Sequence, residues 1–75
     1  MNEDIKGTWE EVFQRNRENE LLIALCREAG DVGTDDELSE GARGNHHPDL
    51  IRDAANGDVA ALVKLRQAFG LPIFT

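Results

Sequence analysis

Tyrosine is absent from this chain, cysteine occurs once, and basic residues are outnumbered by acidic ones, 8 against 15. Each shortage excludes something. A lone Cys26 cannot close an intrachain disulfide, and it fits a reducing, cytoplasmic setting. The longest apolar run, Leu21 to Cys26, has six residues, far fewer than a membrane span requires. The opening Met1-Asn2-Glu3-Asp4 is acidic and does not read as a secretory leader. No basic amphipathic stretch offers itself to a membrane surface. Direct nucleic-acid binding needs a Lys/Arg footprint against the phosphates, and this composition lacks one. With three Phe, one Trp and no sustained alternation of apolar and polar residues, the strand signal is weak.

What is present is charge, helix punctuation and a short chain. The 75 residues carry a formal net charge of -7 and allow a single domain, residues 1–75. A domain of this length buries only about 60% of the surface its unfolded chain exposes. Such chains lean on a partner, and either a second copy or another protein is expected here from size alone. The charge is lopsided. Residues 1–40 hold 12 acidic and 4 basic side chains, and residues 41–75 hold 3 and 4.

Four or five short helices are predicted, packed as a small all-α, bundle-like domain. Thr8-Trp9-Glu10-Glu11 reads as a capping box opening the first helix, with Trp9, Val12 and Phe13 on one face. Gln14 to Glu20 is polar throughout, and a break near Asn16 or Asn19 is as compatible with it as a solvated turn. Leu21, Leu22, Leu25, Cys26 and Ala29 then form an apolar stripe, closed by Gly30 as a left-handed cap. Thr34-Asp35-Asp36-Glu37 repeats the capping box, and the spacing predicts a short helix to about Glu40. Gly41, Gly44 and Asn45 are expected to stop it, leaving 41–47 as a mobile loop. Pro48 suits a first helical position, Asn56-Gly57 ends that helix, and Asp58 caps a last one running to Phe69 before Gly70. That helix is broadly apolar: Val59, Leu62, Val63 and Phe69 make one stripe and Ala61, Leu65 and Ala68 a second. Its polar remainder is Lys64, Arg66 and Gln67, and Leu71, Ile73 and Phe74 extend the apolar surface into the tail. Leu25, Leu62 and Phe69 are the expected core.

Candidate chemistry is sparse. His46, His47, Asp49 and Cys26 are the available metal ligands, but adjacent loop histidines seldom aim at one ion, and a metal is not expected. The histidines read as an exposed pair helping to cap the Pro48 helix. Cys26 with a histidine would make a nucleophile and base, yet its place in the apolar stripe reads as a buried structural thiol. Asp31 to Glu40 lacks the ligand alternation of a calcium loop, and no glycine-rich phosphate loop precedes a lysine. No cofactor, small-molecule substrate or enzymatic activity is expected.

Gly57-Asp58-Val59-Ala60-Ala61-Leu62 resembles a stretch in the small helical subunits of ring-opening extradiol dioxygenases, over six residues of 75. Leu65-Arg66-Gln67-Ala68-Phe69-Gly70-Leu71 is similar to the first turn of repressor-type helix-turn-helix domains, and the chain ends where a recognition helix would begin. Neither assigns a functional residue. The functional expectation is therefore a binding protein. Asp35, Asp36, Glu37 and Glu40, with Glu10 and Glu11 as a second group, are the candidate contacts for a basic protein surface, as in a small phage- or plasmid-type inhibitor or regulator of a nucleic-acid-handling protein. The alternative is a small structural subunit of a larger enzyme or assembly, bound through the apolar last helix and tail.

Overall fold

The computed structural model describes residues 8–73, with side chains from Trp9 onward. Four helices follow one another: α1 (Thr8–Glu28), α2 (Asp35–Asn45), α3 (Pro48–Ala55) and α4 (Val59–Ala68), with no strand among the described residues. The capping box expected at Thr8 lies outside the described side chains, as does Phe74.

Local chemistry sets most of the boundaries. Thr34 Oγ1 accepts from the Glu37 amide and Glu37 Oε1 accepts from the Thr34 amide, a complete capping box that starts α2. Pro48 opens α3 behind His47, whose Nδ1 accepts from the Asp49 amide. Asp58 Oδ1 accepts from the Ala61 amide and starts α4. Three of the four helices close the same way. The Gly30 and Asp31 amides reach back to the Arg27 and Cys26 carbonyls, and equivalent pairs recur at Gly57–Asp58 and Gly70–Leu71. This is the Schellman arrangement, and all three glycines hold the positive φ it requires.

Of the two readings open for the polar stretch of the first helix, the break is absent: α1 runs unbroken for 21 residues, and that stretch is bonded to α2, Arg43 donating to Glu18 Oε1 at 2.8 Å and to Asn19 Oδ1 at 2.7 Å. One expectation is corrected. The segment expected as a mobile loop from Gly41 onward is helix as far as Asn45, and His46 and His47 alone connect it to α3. Burial of Ala42 and the Arg43 anchor outweigh the roughly 1 kcal/mol helix penalty of each glycine.

The core is drawn from all four helices. Leu22, Leu25 and Cys26 of α1 meet Leu38 and Ala42 of α2, Ile51 and Ala54 of α3, and Ala61 and Leu65 of α4. Leu62, Phe69 and Leu71 are half-buried against this cluster, so of the three expected core residues Leu25 is buried outright and the other two lie at its edge. Arg66, expected on the polar side of α4, is 7% exposed. Its guanidinium grips Glu28 with both carboxylate oxygens, at 2.8 and 2.7 Å, while Nε donates to the Pro72 carbonyl. One side chain thus ties α4 to the end of α1 and holds the tail against the body.

Candidate functional site

α1 and α2 are antiparallel: Arg27 near the end of α1 pairs with Asp35 at the start of α2, and Arg43 at the end of α2 reaches the Arg15 carbonyl, Glu18 and Asn19. This separates the two expected acidic groups. Glu10 and Glu11 lie in the first turns of α1, and about 24 Å of helix separates Glu11 from Arg27 at 1.5 Å per residue. The group on α2 therefore stands at the other end of the pair.

That group is also not uniform. Asp35 is held by Arg27 at 2.5 Å, and Glu37 is engaged in the capping box. Asp36 and Glu40 are exposed, one helical turn apart, and neither has an ion pair among the described residues. The described arginines at 27, 43, 52 and 66 each meet a carboxylate other than Asp36 and Glu40.

On another flank of α2 lies an open groove of about 430 Å³, between the end of α1, α2 and the end of α4. Cys26, Leu38, Ala42 and Phe69 supply apolar lining, and Asp31 and Glu37 supply carboxylates. Gly41 also lines it, and a methyl group built there would touch nothing within 4 Å, so the missing side chain leaves the groove open. At one end His46 stacks on Phe69 with ring centroids 4.3 Å apart, which corrects the expectation of an exposed histidine pair: His47 is exposed and caps α3, while His46 is half-buried.

The groove holds Cys26 and His46 together, the pairing a thiol nucleophile would need. Burial, followed by the Asp31 charge, pushes the Cys26 thiol above its ordinary range. The sulfur donates to the Leu38 carbonyl at 3.7 Å. A thiol held protonated in this way is a weaker nucleophile than a thiolate. No three His, Cys, Asp or Glu side chains converge as a metal site among the described residues, and no described helix is long and apolar enough to cross a membrane.

The apolar face of α4 faces inward. Leu65 has no exposed surface, Ala61 is buried, and Val59 is the large apolar residue of that helix left strongly exposed, with Ala60 and Ala68 also exposed. In the tail, Leu71 packs on the core and Ile73 is exposed. The cross-helix bonds of Arg43 and Arg66 escaped sequence reasoning. The one available signal was that Arg66 follows Leu62 by four residues and so continues an apolar stripe. Comparison with known proteins gives no match to a family model, to a curated protein or to a solved structure.

Proposed function

We propose that this chain is a non-enzymatic protein-binding module whose α2 face engages a basic protein surface, acting as a regulator or inhibitor of a nucleic-acid-handling protein. The observation that carries the reading is the pair Asp36 and Glu40, exposed on one face of α2 and without a counter-charge among the described residues. Concentrated charge of one sign speeds encounter with an opposite surface and fixes its register. The groove on the other flank of α2 suits a cationic side chain of the same partner. An arginine or lysine lays its aliphatic stem along the Leu38 and Ala42 side while its cation meets Asp31 or Glu37.

Affinity capture from the native host, at low and at moderate salt, compares the natural chain with the Asp36→Lys/Glu40→Lys double variant. Glu37 is left in place because reversing it also removes half of the α2 cap. The natural chain is expected to retain a basic protein whose association slows with salt. The double variant is expected to associate at least about tenfold more slowly, with folding stability within about 0.5 kcal/mol of the original. A captured partner that binds both chains at the same rate at either salt would remove the acidic face from the interface.

A further inference from the structure

α1 carries two apolar faces. At 100° per residue, Leu22, Leu25 and Cys26 point into the core, whereas Trp9, Val12 and Phe13 centre about 140° further round the helix. Those three are 67%, 40% and 54% exposed, and the Trp9 and Phe13 rings lie 6.2 Å apart as a continuous ridge. None of them belongs to the core or to its half-buried margin. The ridge is flanked on one side by Glu10 and Arg17, which fall within about 20° of each other around the axis. Arg17 also donates to Gln14 Oε1 at 3.1 Å, an exposed bond on the side away from the ridge.

We infer that this ridge pairs with the same ridge of a second copy, the two α1 helices crossing antiparallel about Phe13. Glu10 and Arg17 stand almost equally before and after Phe13, so a two-fold axis there brings each Glu10 to the Arg17 of the other copy. The surface is therefore self-complementary in charge, as an isologous contact requires. The aromatic pair supplies on the order of 250 Å² of apolar area per copy, against about 800 Å² per partner in a standard interface. The dimer is accordingly weak and concentration-dependent. It uses a face separate from the acidic face of α2, so the two surfaces can be occupied together and their tests are independent.

Sedimentation equilibrium over a wide concentration range tests this, alongside the emission of Trp9, the chain's single tryptophan. The natural chain is expected to dimerise with a blue shift in emission. Glu10→Arg alone and Arg17→Glu alone are each expected to weaken self-association at least about tenfold, since each places like charges at two symmetric contacts. An equimolar mixture of the two variants is expected to recover association as a heterodimer, because both cross-contacts again join opposite charges. Circular dichroism of each variant keeps loss of folding separate from loss of association. A natural chain that stays monomeric at millimolar concentration, single variants that dimerise normally, or a mixture that fails to recover would each overturn the inference.

Discussion

Leu65 has no surface exposed to solvent, and Leu62, three residues earlier on the same helix, is only half covered. The difference is one of angle. Leu65 shares the core with Leu22 and Ile51, the other two fully buried large side chains, whereas Leu62 lies at the margin of that cluster. Leu65→Ala is therefore expected to cost about 2–5 kcal/mol by loss of apolar contact and creation of a cavity. Leu62→Ala is expected to cost clearly less. Urea midpoints of both variants check the order, and equal values would mean that α4 is rotated relative to this structure. The helical spacing that marked α4 as apolar does not separate these positions, because it reports which residues share a face and is silent about which face turns inward. Arg66 shows the same limit. A cation among apolar neighbours reads as solvated until a carboxylate 38 residues away is placed against it.

Among the elements, the legible features were those decided within four residues. The Thr34 capping box, Pro48 at a first helical position, the Asp58 cap and the closures at Gly30, Gly57 and Gly70 all follow from local hydrogen bonding and backbone freedom. The extent of α2 was not legible, because contacts with α1, 24 and 25 residues earlier, hold its last turn in place. The same glycines signal a loop in isolation and are carried as helix once Ala42 is buried. A substitution series separates these cases by sign. Gly41 and Gly44 are helical, and a methyl group at either meets nothing within 4 Å. Gly41→Ala and Gly44→Ala are each expected to raise stability by about 0.5–1 kcal/mol. Gly30 has equal room but a φ of +92°, so Gly30→Ala is expected to lower it by about 1 kcal/mol. Thermal melts read both signs. Neutral values at 41 and 44 would return that segment to the loop its sequence suggests, and would remove the rigid backing of the acidic face.

At the scale of the whole molecule, two carboxylates fasten α1 to other elements, and acid should release both. Burial by itself would raise Glu18, but the hydrogen bonds from Gln14 and Arg43, with the charges of Arg43 and Arg15, outweigh it and hold the group below its ordinary 4.5. For Glu28 the hydrogen bonds from Arg66 dominate, exceed the cost of burial, and again lower it from 4.5. In the unfolded chain both groups take up protons near 4.5, earlier on acidification than in the fold. Their stabilisation is thus fully present above about pH 4.5 and is lost as pH falls through the lower folded values. A second effect runs the other way. With a net charge of -7 the folded chain repels itself at neutral pH, and loss of that net negative charge on acidification relieves the repulsion. A pH profile of the natural chain alone would mix the two. Comparison with Glu18→Gln/Glu28→Gln isolates the first, because the exposed carboxylates are common to both proteins. The double variant is expected to be less stable at neutral pH and to lose less on acidification, so that the two curves converge well below pH 4.5. Urea midpoints at dilute concentration, which limits precipitation near the isoelectric point of about 4.6, give both curves. Parallel curves with no convergence would mean that neither carboxylate is stabilised by its arginine, and that α1 is joined to α2 and α4 by apolar packing and by the remaining bonds of Arg27 to Asp35 and of Arg43 to Asn19.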